Sequence, residues 1–320
     1  MSVATLIALC GGAVSALLYA STMIGTLGAL LLMLMAQLPL FLVGLSQGMR
    51  GALIANCAGI VLAGLLLGPA AMVNYAVAEA IPAYLLVRQG TLIRRHPDGT
   101  TEWYPAGRLL VWASLYAGLV FLALVLAFAG TDGGLRGEVA RIFGSMRSAL
   151  GLETAPPGAE RMLDAFVAVL PGLGACSWLL VTAANGALAQ GLLIRFARNL
   201  RPSPDLASFD LPRWLGLAVA ATALLGVAAP GTAGFVGENL CLILAMPYFF
   251  GGLALAHAAA RRSGARAGHF MLLYLFLALI IVIMSWVVIF GVAALGLIDQ
   301  LVGLRQRLMR PKDGPDGNWE

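Results

Sequence analysis

The chain predicts an all-α fold, a polytopic transmembrane helical bundle, and three observations carry that prediction. Hydrophobic residues make up 60% of the 320 and charged residues only 11%. Mean hydropathy is +0.90, an apolar excess that a soluble domain of this length could not bury. Apolar runs of span length recur from Val3 to about Leu301, separated by short connections that carry most of the arginines. Residues 1–304 therefore read as a single integral membrane domain of about 8–10 membrane segments. Residues 305–320 read as a polar, basic tail.

The net charge of +5 is not a nucleic-acid signal. In a membrane protein, arginines between spans report orientation and contact with anionic lipid. The lipid bilayer is the expected partner, and no nucleic acid is. Cys10, Cys57, Cys176 and Cys241 lie in apolar stretches without paired spacing, so they read as small hydrophobes, with no disulfide, metal site or cofactor implied. No catalytic residues are assigned. The chain has no GxxxxGK[ST] loop, so ATP-driven movement would have to come from a partner.

Span one runs from about Val3 to Ala20, with no basic residue before it and no cleavage site after it, and reads as a retained span. Ala4, Ala8, Gly12, Ala16 and Ala20 form a four-residue ladder of small residues, which suits a close helix crossing. The ladder could pack inside the bundle or dock a separate membrane subunit. Spans two and three, about Leu27–Ser46 and Met49–Leu67, meet at a short turn, and Gly44 with Gly48 and Gly64 with Gly68 allow tight backbone approach. Gly44 to Gly48 also matches G-x-S-x-G around Ser46. That motif needs a strand before the serine, whereas apolar helical runs flank this one.

Span four, from Gly68 to Gly90, holds Glu79 near its middle. An ionised carboxylate there costs roughly 2.5–3.5 kcal/mol on insertion scales, so it is expected to face the bundle interior or a cavity. Tyr75 and Pro82 fall on the same helical face. Residues 91–107 follow as a small cytoplasmic hairpin loop turning at Asp98-Gly99, with Trp103 and Tyr104 placed as interfacial aromatics and His96 as a solvated loop residue. After span five, about Leu109–Ala129, residues 132–156 read as an interfacial amphipathic surface helix and loop, or equally as a cap over the mouth of the bundle. There Leu135, Val139, Ile142, Phe143, Met146 and Leu150 recur at helical spacing.

Span six, Asp164 to Phe196, exceeds one crossing and carries Pro171-Gly172, which predicts a kink. Its Asn185 and Gln190 suit interhelical hydrogen bonds or ligand contact. A basic, proline-rich connection leads to span seven, about Trp214–Ala229, and Glu238 is expected to cap span eight. His257 reads as a packing residue. The last apolar run, His269 to about Leu301, is long for one crossing, and Gly291 and Gly296 are candidates for a re-entrant point. Placing the loops of Arg88–Arg108, Arg195–Arg213 and Arg261–Arg266 in the cytoplasm satisfies the positive-inside rule. Nine single crossings would then leave the basic tail outside, against that rule.

Several local features carry a family resemblance: Leu38-Pro39 leading to Leu67-Gly68-Pro69, Trp103-Tyr104-Pro105, Gly251-Gly252-Leu253-Ala254, and Gly296-Leu297-Ile298-Asp299 followed by Arg305. On these the chain resembles the YybS-like family of bacterial inner-membrane proteins, whose function is unassigned, over most of its length. That family is distantly similar, over spans one to six, to the S components of energy-coupling-factor transporters. The resemblance implies a multi-pass protein of the bacterial inner membrane. It also implies a first-span ladder that docks a membrane coupling subunit.

The expected function is a transporter-like, small-molecule-binding protein without its own ATPase. Tyr75, Glu79, Asn74, Asn56, Trp178 and Asn185 are the expected ligand-binding residues. Glu79 could accept from a ligand amine or carry a coupled proton. The alternative is a structural or assembly protein acting through helix–helix contacts.

Overall fold

The computed structural model describes residues 2–149, 151, 159–203, 209–262 and 286–309. Among them, seven helical spans are long and apolar enough to cross a membrane, and two shorter apolar helices accompany them. Helix α1 (Val3–Ala20) starts at Ser2, whose hydroxyl accepts from the Thr5 amide at 3.2 Å. It runs against α4 (Met49–Leu67) along the small-residue ladder. Ala8, Gly12 and Ala16 are buried there, while Ala4 stays exposed and Ala20 half-buried. A Cβ on Gly12 would collide with the Ala55 carbonyl of α4, so the two backbones touch. The ladder's central rungs therefore serve a crossing inside this chain.

Between these helices, α2 (Leu27–Met33) and α3 (Gln37–Gln47) make one span broken at Leu34–Ala36, just before Pro39. Ser46 does not stand on a strand-to-helix elbow. Its hydroxyl donates to the Leu42 and Val43 carbonyls of its own helix.

Span four is also broken. It comprises α5 (Pro69–Tyr75), a π-helical turn (Ala76–Ala80) and α6 (Ile81–Gly90). Pro82 explains the turn: it lacks an N–H, and its ring conflicts with the carbonyl four residues back, at Ala78. The chain relieves this with a wider turn, in which the Ile81 N–H bonds to the Ala76 carbonyl five residues back.

The hairpin forms as expected. Strands β1 (Ile93–Arg95) and β2 (Thr101–Trp103) pair antiparallel, with Arg94 opposite Glu102. At the turn, the Thr100 hydroxyl and backbone N–H bond to Asp98 Oδ1 at 2.6 and 2.9 Å and hold its carboxyl below the usual aspartate range. His96 is paired with Glu102 at 3.0 Å.

Helix α7 (Ala106–Ala127) follows, then the amphipathic α8 (Gly134–Ala149), which buries Leu135 and sets Phe143 6.0 Å from Phe166 of α9 (Ala159–Arg195). Of the predicted surface segment, residues 150 and 152–156 lie outside the described residues. Helices α10 (Arg213–Ala228) and α11 (Gly231–Arg262) pack through Gly226 and Gly237. Because α11 begins at Gly231, Glu238 lies in its third turn and is no N-terminal cap.

Helix α12 (Trp286–Val302) crosses α11 backbone to backbone. The Cβ positions of Gly252 and Gly296 are taken by the Val292 and Tyr248 carbonyls. Residues 286–302 are one continuous helix, so the expected re-entrant point at Gly291 and Gly296 is replaced there by a close crossing. Residues 263–285, which include most of the rest of that run, lie outside the described residues.

The end of the chain returns to the hairpin side. Arg305 starts no free tail: it belongs to α13 (Leu304–Met309), donates to the Phe209 carbonyl and pairs with Asp299 at 3.4 Å. Gly107, next to the hairpin, packs on the Asp210 carbonyl, and Arg262 donates to the Leu308 carbonyl. The start of the basic tail thus sits beside the other arginine-rich connections, as the positive-inside rule favours.

Packing forms two apolar clusters, one among α1, α3, α4, α5 and α6, and one among α7, α9, α10, α11 and α12. Lower α9 residues Ala189 and Leu193 join the first, and Leu86 borders both. Lipid tails are as apolar as these side chains, so close backbone contact and hydrogen bonds, rather than hydrophobic burial, must hold the helices together.

Candidate functional site: a groove beside a broken helix

The π turn leaves two carbonyls without helical donors. Ala78 O would normally receive the N–H of residue 82, which is proline, and Val77 O loses the Ile81 N–H to Ala76 O. In hydrocarbon a bare carbonyl costs several kcal/mol, so other helices must supply donors. Gln37 Nε2 of α3 and Trp178 Nε1 of α9 both donate to Ala78 O, at 3.0 and 2.9 Å. The Tyr116 hydroxyl of α7 donates to Val77 O at 2.6 Å.

The same logic governs the break between α2 and α3. Asn185 Nδ2 donates to Leu34 O at 2.7 Å. Ser15 Oγ donates to Ala36 O at 2.5 Å, so the Tyr75 hydroxyl, 2.6 Å from Ser15 Oγ, must be the donor in that pair. Tyr75 is fully buried, edge-on to Tyr19 at 5.3 Å, in space left by Gly59.

Of the six expected ligand residues, Tyr75, Trp178 and Asn185 thus serve backbone breaks, directly or through Ser15. Asn56 donates to Ala52 O of its own helix at 2.7 Å and leaves Oδ1 without a donor. Asn74 is exposed and reaches the Tyr19 hydroxyl. Glu79 lies in the π turn itself, 7% exposed, beside the Gln37 amide and within electrostatic range of Tyr19 and Tyr75. Among the described residues it has no ion-pair partner.

On the outer side of the π turn runs a groove of about 270 Å³. Asn74, Val77 and Ala78 form one wall, Tyr116 to Leu124 of α7 another, and Pro171 to Trp178 of α9 the third. The Tyr116 and Trp178 rings stand 6.0 Å apart. Glu79 is not part of the lining. The expected set is therefore split: Asn74 and Trp178 border the groove, Glu79 and Tyr75 turn into the first apolar cluster, and Asn56 and Asn185 lie elsewhere.

The third wall contains a second proline. Pro171 lies inside α9, which continues through it, and the side-chain amide of Asn239 from α11 packs beside it: Oδ1 accepts from Gly172 N at 2.6 Å and Nδ2 donates to Ala168 O at 2.9 Å. One amide thus bonds both backbone groups of the Gly172 and Ala168 pair next to the proline. Gly172 is needed, since a Cβ there would meet Asn239 Oδ1 at 2.9 Å.

Sequence reasoning missed Gln37, Tyr116 and Asn239. Each is a polar residue inside an apolar span, and each answers a proline on another helix. That pairing was the available signal. Arg201, outside the spans, was also missed. It is 6% exposed, donates to Gly90 O at 3.0 Å and stands 6.0 Å from the Trp103 ring centre. Burial lowers its guanidinium from the usual value. No cluster of three or more His, Cys, Asp or Glu occurs among the described residues.

These features define a polytopic helical membrane protein with an interior organised by broken helices. Residues 13–300 match the family model described as predicted membrane protein DUF2232, and the chain belongs to that family. No curated protein and no solved structure matches it.

Proposed function

We propose that the chain is a transporter-like membrane protein that binds a small molecule in the groove between α5, α7 and α9. The observation that carries this reading is the position of the groove against the π turn that breaks span four, facing the proline-bearing stretch of α9, since discontinuous helices are where membrane transporters hold substrates. Glu79, 11 residues from Gly90, lies about 16 Å along the helix from that end, close to mid-bilayer. Its place on the inner side of the π turn argues against direct contact with a ligand amine. It acts instead through the turn: a ligand packed against the Trp178 and Tyr116 rings shifts the side chains that hold the Ala78 and Val77 carbonyls, and with them the segment that holds Glu79 against Gln37, and Glu79 carries the coupled proton.

No reaction is catalysed, and movement comes from a membrane coupling subunit, as the resemblance to YybS-like proteins and S components of the bacterial inner membrane implies. With Ala8, Gly12 and Ala16 covered by α4, docking falls to Ala4, Ala20 and the outer face of α1. A structural or assembly role is the second reading. It is favoured by the bonding of Tyr75, Trp178 and Asn185 within the chain.

Untargeted mass spectrometry of molecules carried through a mild purification separates the two. A small molecule retained by the wild type and by Glu79→Gln, and lost from Val120→Trp, supports the binding reading. Retention of companion proteins alone supports the second.

A further inference from the structure

We infer that the ligand of this groove is an uncharged, largely apolar molecule that enters sideways from the bilayer. The inference rests on reading the groove as a binding site and adds the chemical class. Among the described residues, no charged side chain lines the groove. Its body is Val77, Val120, Phe121, Leu124, Pro171 and Ala175. The two polar groups deepest in the wall are already engaged, Tyr116 OH on Val77 O and Trp178 Nε1 on Ala78 O. Their ring faces remain, and these suit a flat or ring-bearing molecule.

A charged ligand would lose its hydration here and meet no counter-charge, because Glu79 is on the other side of the turn. Asn74 alone offers a polar contact, and it is exposed. Entry is lateral: Val73 beside the groove is 59% exposed and Leu124 in its wall 44%, both in apolar spans where the outside is lipid. Gly174 keeps the wall open, since a Cβ there would meet nothing within 4 Å.

Photolabelling of the full chain in phosphatidylcholine vesicles tests this. One probe is neutral trifluoromethylphenyl diazirine and the other its carboxylate derivative. Labelled peptides are quantified relative to Leu53 and Val61, which line a wide lipid-facing surface between α1 and α4. The neutral probe is expected to label Ala117–Leu124 and Pro171–Trp178 saturably, and about tenfold more than the carboxylate does after that normalisation. Gly174→Leu and Val120→Trp, from opposite walls, should each remove the saturable part and leave Leu53 and Val61 unchanged. Equal normalised labelling by the carboxylate would overturn the ligand class and leave the site standing. Failure of both probes to exceed the lipid-facing reference would remove the site itself.

Discussion

Pro82 and Pro171 each stand beside backbone groups that other helices hold, and the two sites are held differently. At Pro171 a single amide, Asn239, with no exposed surface, bonds both Gly172 N–H and Ala168 C=O. At Pro82 three side chains from three helices reach two carbonyls, and one of those, Ala78 O, is held twice. The first arrangement leaves no polar backbone group of the Gly172-to-Ala168 pair open. The second holds a carboxyl, borders a groove, and can lose one donor without baring its carbonyl. The first site depends on one neighbouring side chain, and the second on three from separate helices.

The largest expected effect tests the site that depends on one side chain. Asn239→Leu keeps the branched shape but strands Gly172 N–H and Ala168 C=O, at about 1–3 kcal/mol for each unsatisfied group. We expect a loss of about 3 kcal/mol in stability against denaturant in mixed micelles. An unchanged stability would mean that the amide is not needed beside Pro171. Next, Gly252→Ala places a methyl on the Val292 carbonyl and should cost about 1–3 kcal/mol in the same measurement. Gly174→Ala, in the groove wall with open space around it, should stay within about 0.5 kcal/mol. If the two glycines responded alike, the contrast between tight crossing and open groove would fail.

The outline of this architecture was legible in the sequence. Lipid imposes long apolar runs and leaves charge for the connections, so the spans, the Asp98-Gly99 hairpin and the Leu135–Met146 amphipathic helix could be placed from pattern alone. Pro82 and Pro171 marked where helical bonding is disturbed. Which side chain answers each proline was not legible, because the partner comes from across the bundle: Asn239 lies 67 residues from Gly172 and Trp178 lies 100 from Ala78. For the same reason, the pattern did not show that Tyr75, Trp178 and Asn185 bond to a backbone carbonyl or its hydroxyl clamp. The ladder had the right chemistry for a crossing, and its period held no information on whether the partner was α4 or another chain.

The redundancy at Ala78 O predicts a coupling. Trp178→Phe and Gln37→Leu should each cost about 0.6 kcal/mol, the mean for hydrogen bonds between membrane helices. Together they leave Ala78 O bare, so the double variant should lose about 1 kcal/mol more than the sum. Simple additivity would show that the two donors do not share the load on one carbonyl.

The smallest expected effect falls on the residue of greatest functional interest. Glu79→Gln preserves shape and can still bond to Gln37, and no ion pair is lost because Glu79 has none among the described residues. Stability should change by no more than about 0.5 kcal/mol, while any proton-coupled movement of the groove ligand in reconstituted vesicles should stop. That separation is what distinguishes a working carboxyl from a packed one. A large stability loss with Glu79→Gln would make Glu79 a structural member of the π turn, the counterpart of Asn239, and the two proline sites would then differ only in how many side chains hold them.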